Sequence, residues 1–357
     1  MKIVFCLASL GSGGAERVVS LLANKMSNDG HEVQVICLKV NEVYYQLHEK
    51  VKVVMAMEKS WNRFSELFWL RRYLKREKPN VVIPFTEGVY CFTIASLLGT
   101  GIPVIASERL DPSAMTWKRN LLKRVLLPYA DWLVVQTQTI KDYFPKKIQE
   151  KTSVIYNPVN DEVFKESETG ITNPLELKSN RIISVARLFP QKNQEMMIRA
   201  FAKIADVFPD WQLVIFGEGP LRDSLRLLID SLQLTDRILL PGRTEHVIDE
   251  LRKSKLFCLS SDYEGMSNSM IEAICVGLPI VSTRVSGTDE LIKNGVNGFL
   301  VEIGDETGMA LALKRLMQNE ELMKQIGEAN KRQASLFMLD KIVNDWISLI
   351  NQVRNVS

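Results

Sequence analysis

The chain predicts an α/β fold built on two parallel sheets, from three observations. Short runs rich in Val, Ile and Leu alternate with longer amphipathic segments along its length, the arrangement of βαβ units. The alternation restarts once, after Asn157-Pro158-Val159, where proline stops any helix from running on and marks a linker. The 357 residues, 46% hydrophobic, suffice for two cores of ordinary domain size.

In a first domain, residues 1–160, the runs predict strands at 3–7, 33–38, 53–57, 81–83, 104–106 and 133–135, with helices between them. The second domain, 161–339, restarts with strands at 182–185, 213–216, 238–240, 256–259 and 280–282. A last helix lies at about 340–353, within a terminal segment 340–357. The uncharged stretch 88–107 approaches the length of a membrane span, but Gly99, Gly101 and Pro103 cut it into a buried helix and a strand, so a soluble reading is favoured.

Composition narrows the function classes. The five cysteines, Cys6, Cys37, Cys91, Cys258 and Cys275, are odd in number, lie mostly in apolar runs and form no C-x-x-C pair, as in a reduced cytosolic protein. No signal peptide is visible at the N-terminus. Residues 1–160 carry 22 Lys+Arg against 14 Asp+Glu, while the rest carries 23 against 28, so the basic half is expected to face an anionic surface. Nucleic acid is a poor candidate, since no basic recognition helix, zinc spacing or aromatic-rich RNA-binding pattern occurs. A catalytic metal is not expected either, because none of His31, His48 and His246 is spaced with a carboxylate as a ligand set.

The most informative segment is Ser260-Ser261-Asp262-Tyr263-Glu264-Gly265-Met266-Ser267-Asn268-Ser269-Met270-Ile271-Glu272-Ala273. It follows a buried strand and opens an apolar helix, so backbone N–H groups of Gly265, Met266, Ser267 and Asn268 would meet a phosphate at the positive end of the helix dipole. Glu264 and Glu272, eight residues apart, flank that phosphate, one suited to sugar hydroxyls and the other to ribose hydroxyls of a nucleotide-sugar. Glu272 also completes a literal capping box beginning at Ser269.

This segment resembles the E-x7-E signature of the GT4 family of retaining glycosyltransferases. The resemblance spans nearly the whole chain, through Gly11-Ser12-Gly13-Gly14-Ala15-Glu16-Arg17, Ala106-Ser107-Glu108-Arg109-Leu110-Asp111-Pro112, Tyr156-Asn157-Pro158-Val159, Val185-Ala186-Arg187-Leu188 with Gln191-Lys192-Asn193, Phe216-Gly217-Glu218-Gly219-Pro220 and Pro241-Gly242-Arg243. It is most similar to bacterial enzymes that extend lipid-pyrophosphate-linked glycans, N-acetylgalactosaminyltransferases among them. The resemblance implies the GT-B fold, two Rossmann-like parallel-sheet domains with a cleft between them, the first binding acceptor and the second the nucleotide-sugar, and a last helix that crosses back to the first domain. It also implies that Arg187 and Lys192 neutralise the leaving diphosphate in a catalytic group with Glu264. Gly13, Gly14, Gly217, Gly242 and Arg243 would join the donor site.

Alternative readings attach to several of these residues. The loop at Gly11 has a Rossmann-like context, yet it lacks G-x-G-x-x-G spacing and a partner acid, which argues against a nicotinamide enzyme. Arg109 stands where many relatives have histidine, and three uses remain open for it: contact to an acceptor pyrophosphate, donor positioning, or a surface ion pair with Asp111. The segment 117–127 places Trp117, Leu121, Val125 and Leu126 on one helical face and Lys118, Arg119, Lys123 and Arg124 largely elsewhere; it reads as a helix lying on an anionic membrane, or as one packed on the sheet with a solvated basic face. Residues 60–76 are a second such candidate.

The expectation is therefore a metal-independent retaining transferase without a cofactor. It would move a hexose or N-acetylhexosamine from a UDP-sugar to a lipid-pyrophosphate-linked glycan while peripherally bound at the cytoplasmic face of a bacterial membrane. A UDP-sugar epimerase, a phosphorylase and a silent nucleotide-binding protein are the rival classes.

Overall fold

The computed structural model describes residues 1–39, 43–56, 63–114, 117–164 and 178–356. The chain divides into two compact units, Met1–Pro158 with Met338–Ser357, and Val159–Phe337.

The first unit carries strands β1 (Lys2–Leu7), β2 (Glu32–Cys37), β3 (Lys52–Met55) and β4 (Val81–Pro84) in the order β3-β2-β1-β4. Strands β5 (Ile105–Ser107), β6 (Trp132–Val135) and β7 (Thr152–Val154) form a second row, and all pairings are parallel. Bridges from Val82 to Val104 and from Phe85 to Ser107 join the rows. Alternate side chains leave opposite faces of a strand, so Ile3, Phe5 and Leu7 enter one core while Val4 and Cys6 enter the other. Helices Gly14–Asn28 and Leu339–Val356 cover the first face; the latter contributes Leu339, Ile342, Val343, Trp346, Ile350 and Val353 at helical spacing. Helices Arg63–Glu77, Glu87–Leu97 and Trp117–Leu126 lie over the other face.

The second unit has one parallel sheet, formed by β8 (Ser179–Val185), β9 (Gln212–Phe216), β10 (Ile238–Gly242), β11 (Ser254–Leu259), β12 (Ile280–Thr283) and β13 (Phe299–Val301). Its order is β10-β9-β8-β11-β12-β13. The chain thus builds outward from β8 in one direction, then returns to β11 at β8's other side and builds the opposite way. A crevice opens at such a reversal, beyond the carboxyl ends of the two central strands.

Each strand predicted from the sequence is present; Leu38, Ala56 and Val104, expected at strand ends, fall just outside them, and Met57 lies outside the described residues. Strands β7 and β13 were not predicted, being only three residues long at sheet edges. The stretch 88–107 resolves into the buried helix Glu87–Leu97 and strand β5, and among the described residues no helix is long and apolar enough to cross a membrane.

Candidate active site

The β8–β11 reversal gathers the residues that the sequence singled out in the second unit. After β8 come Arg187, Phe189 and a 3-10 turn, Pro190–Lys192, and then Asn193, which takes a left-handed backbone (φ 45°) and caps the helix Gln194–Ala202 by accepting from Met196 N. After β11 comes the loop of Ser261, Asp262 and Glu264. The two loops are laced together: Asp262 N donates to Gln191 O (2.9 Å), Gln191 Nε2 to Tyr263 O (2.8 Å), and Asn193 Nδ2 to Asp262 Oδ1 (2.8 Å). Lys192 consequently meets Glu264 in a direct ion pair, and Ser261 Oγ donates to the same carboxylate oxygen at 2.8 Å. Arg187 lies over the Phe189 ring, 5.0 Å from its centroid.

The helix Asn268–Cys275 begins beside this pair. Its cap is Ser267, whose hydroxyl accepts from Met270 N, while Ser269 Oγ turns away to Val185 O (2.7 Å). The capping box read from Ser269 to Glu272 is therefore not formed: the helix starts two residues earlier than that reading requires, which leaves Glu272 in its buried interior. A helix N-terminus, two cations and a carboxylate together suit a diphosphate joined to a hydroxyl-rich group.

Main chain meets main chain around these groups. Gly217 has φ 149°, and a Cβ there would lie 1.9 Å from Ala186 O; one on Gly219 would lie 2.3 Å from Leu188 O, and one on Gly287 2.2 Å from Gly265 O. Gly217 N donates to Gly242 O at 2.8 Å, so Gly217 and Gly242 stand together, and Arg243 next to Gly242 is exposed. Ser286 Oγ donates to Glu264 O (2.9 Å), and Thr283 Oγ1 to Ser261 O (2.6 Å). These hydroxyls fix the Glu264 loop from behind and were not singled out in the sequence; the one cue to them is that small polar residues follow the apolar runs of β11 and β12. Among the described residues no cluster of His, Cys, Asp and Glu is arranged to hold a metal ion.

Gly13, Gly14 and Arg109 belong to the first unit. Gly13 precedes the helix Gly14–Asn28, and the Glu16 carboxylate folds over it, 2.2 Å from where a Cβ would stand. Arg109 departs from expectation. It forms no surface ion pair with Asp111, which instead accepts from Ser113 N and Oγ. Its guanidinium is buried, donates to Asn157 Oδ1 at 2.8 Å, and stacks over Phe85, 4.3 Å from the centroid, with Trp346 at 5.9 Å. Burial pushes its pKa down to about 9, against the attraction of Glu108, so it stays charged at neutral pH. Enclosed by these aromatic and amide groups, Arg109 loses the surface ion pair from its three open uses.

A second correction concerns Lys123, expected among the membrane-facing cations. Its side chain is 2% exposed and its ammonium lies 2.7 Å from the fully buried carboxylate of Glu108, which also accepts from Tyr90 Oη. Leu121, Leu122 and Val125 are exposed on this helix instead, with Arg124. Leu121, Leu122 and Val125 thus face outward while Lys123 is drawn inward by a carboxylate after β5. The side chains of Trp117, Lys118 and Arg119 lie outside the described residues, as do positions 60–62 of the second basic segment.

Comparison with known proteins fixes the family. Residues 12–163 match Glycosyltransferase Family 4 and residues 167–333 match Glycosyl transferases group 1. The chain is 31% identical, over 99% of both sequences, to the Campylobacter jejuni GalNAc-alpha-(1->4)-GalNAc-alpha-(1->3)-diNAcBac-PP-undecaprenol alpha-1,4-N-acetyl-D-galactosaminyltransferase. It belongs to the family 4 glycosyltransferases. A second C. jejuni relative, the N-acetylgalactosamine-N,N'-diacetylbacillosaminyl-diphospho-undecaprenol 4-alpha-N-acetylgalactosaminyltransferase, is 30% identical over 98% of this chain and 99% of its own. The fold is GT-B: Anabaena HepE, solved in complex with UDP and glucose, superposes with a TM-score of 0.84 at 19% identity, covering 98% of this chain and 99% of its own. The chain is accordingly a transferase, and the two C. jejuni relatives are named for acceptors that are undecaprenol-diphosphate glycans.

Proposed function

We propose that this glycosyltransferase moves a hexose or N-acetylhexosamine from a UDP-sugar to a lipid-pyrophosphate-linked glycan, with retention of the donor's anomeric configuration. The observation that carries this is the Lys192–Glu264 pair where β8 and β11 end, with Glu264 three residues before the helix cap Ser267 and Arg187 in the same loop as Lys192. Two cations and the helix dipole favour departure of a nucleoside diphosphate, the role a metal serves elsewhere. Glu264 would exchange its bond to Lys192 for donor-sugar hydroxyls as the diphosphate takes the lysine, and Glu272 would hold the ribose. Engaged by Ser261 Oγ and by the sugar hydroxyls, Glu264 would not serve as the nucleophile. The reaction then runs on one face of the sugar: the bond from C1 to the phosphate oxygen breaks, the acceptor oxygen bonds to C1, and its proton passes to the departing phosphate. No cofactor or metal is required.

The acceptor and the membrane are assigned to the first unit. Phe64 and Phe68 on the Arg63–Glu77 helix, and Leu121, Leu122 and Val125 on the Trp117–Leu126 helix, are exposed beside the cations Arg72, Lys75, Arg76 and Arg124. Apolar side chains ringed by cations suit the interface of an anionic bilayer, here the cytoplasmic face where lipid-linked acceptors would be met. Arg109 would act there as a positioning residue, holding Asn157 and Trp346. The names of the two Campylobacter relatives support the acceptor class. UDP release should be measured with each of several UDP-sugars, with and without an undecaprenyl-diphosphate glycan, in the presence of EDTA. Acceptor-dependent release supports the proposal. Release without acceptor points to an epimerase or hydrolase, UDP binding without turnover to a silent protein, and loss of activity that manganese restores to a metal enzyme.

A further inference from the structure

Phe189 stands in the loop between the two cations Arg187 and Lys192, and none of the roles above uses it. The residue before a proline is held extended, and Phe189, followed by Pro190, has φ −126° and ψ 153°. Leu188 is buried, while Arg187 and Phe189 on either side of it are exposed. The Arg187 guanidinium lies over the Phe189 ring, 5.0 Å from its centroid. The main chain of Phe189 reaches both cations: its N–H donates to Arg187 O and its carbonyl accepts from Lys192 N, each at 2.9 Å. Gln194 Nε2 donates to the same Arg187 carbonyl at 2.8 Å, so the backbone beneath the arginine is held twice. The two cations are nevertheless kept in place differently. Lys192 is paired with Glu264. Among the described residues no carboxylate pairs with Arg187, whose guanidinium meets an aromatic face instead.

We infer that Phe189 is a positioning residue for Arg187: its ring holds the guanidinium in place and leaves the N–H groups free for the leaving diphosphate, a reading that rests on the proposed donor site. A guanidinium carries its five N–H groups in its own plane and is attracted to a ring through its face. A carboxylate in the ring's place would also hold the arginine, but it would occupy those donors and offset the charge that the diphosphate needs. The ring does neither. Contact between a cation and an aromatic ring at an exposed site is worth about 2–5-fold in an equilibrium constant. Ordering a free, rotamer-rich side chain on binding costs about 2–10-fold in affinity, and an arginine already held by the ring has met much of that cost before the ligand arrives.

The test is calorimetric titration of the full chain with UDP and with uridine, on Phe189→Leu, Phe189→Tyr, Arg187→Ala and the double variant Phe189→Leu with Arg187→Ala. At an exposed position neither replacement of Phe189 should disturb the fold. Phe189→Leu keeps an apolar side chain without the ring, and should weaken UDP by about 2–10-fold while leaving uridine, which has no phosphate, unaffected. Phe189→Tyr retains the ring and should bind UDP as the wild type does. Once Arg187 is alanine, removing the ring should cost nothing further, because the ring acts through the guanidinium alone. Unchanged UDP affinity in Phe189→Leu overturns the inference. So do equal losses for UDP and uridine, or a further loss in the double variant, either of which would mean that the ring packs the loop or touches the nucleoside itself. If Arg187→Ala binds UDP as the wild type does, the donor assignment fails and this inference with it; if Arg187→Ala weakens UDP and Phe189→Leu does not, this inference alone fails.

Discussion

Replacing Lys123 by methionine isolates the buried ion pair of the first unit. Lys123 and Glu108 are 2% and 0% exposed and 2.7 Å apart, and Glu108 keeps bonds from Tyr90 Oη (2.8 Å) and from the backbone N–H of Arg109 (3.1 Å) after the lysine is removed. The remaining carboxylate is then a buried charge without its cation, which costs about 3–5 kcal/mol. For domains of this size, that lowers the unfolding midpoint by roughly 6–20 °C. Scanning calorimetry on the full chain reads the shift, with Arg124→Met, an exposed neighbour, as the control. Adding Glu108→Gln should restore part of the loss, because it removes the unpaired carboxylate while the buried Arg109 loses the attraction of Glu108 in the same step. A shift no larger than a surface lysine gives, about 0–1 kcal/mol, would refute this account and return Lys123 to the membrane-facing cations.

Glu264→Gln should lower kcat by about 10²-fold, close to 3 kcal/mol of transition-state stabilisation, in a chain that still folds; near wild-type turnover speaks against its place at the reacting sugar. Arg187→Ala and Lys192→Ala should weaken UDP more than uridine in calorimetric titration, and equal effects on both ligands would exclude a diphosphate contact. Lys2, with Gln34, holds the Glu77 carboxyl down to about 2. The folded value lies below the unfolded one, so this stabilisation is complete above about pH 4.5 and is lost as pH falls towards 2; Glu77→Gln should flatten that part of the urea-midpoint profile, and an unchanged profile would count against the pair. Burial pushes the thiols of Cys6, Cys91, Cys258 and Cys275 up to about 12, so none should alkylate at pH 8 in the native chain, and modification of any of them before unfolding would contradict that burial.

The sheets were legible because strands buried on both faces appear as unbroken apolar runs, as at Ile182 and Ile183 or Phe257 and Cys258. Thr152-Ser153-Val154 has too few apolar residues to read that way. The residues of the proposed donor site could be singled out because they sit at strand ends in fixed order. Which polar residue caps the helix was not: Ser267, Asn268 and Ser269 are all good caps, and only the bond from Ser269 Oγ to Val185 O, contributed by a distant strand, leaves the task to Ser267. The helix at Trp117 was found, but its orientation was not. Lys123 turns inward because Glu108, fifteen positions earlier, is buried beneath it, and helical periodicity carries no record of so remote a partner. The burial of Arg109 was likewise not legible, because Phe85, Asn157 and Trp346 come from three separate segments.

The close approaches at Gly217, Gly219 and Gly287 limit how this enzyme can diversify. With backbone oxygens 1.9–2.3 Å from where each Cβ would stand, no substitution at these positions can introduce a side chain that discriminates one donor from another. Variation under selection is left to neighbours whose side chains reach solvent, Phe189 and Arg243 above all. A mutational library aimed at the proposed donor site belongs at such exposed neighbours, and would fill with unfolded chains if it were spread over the glycines.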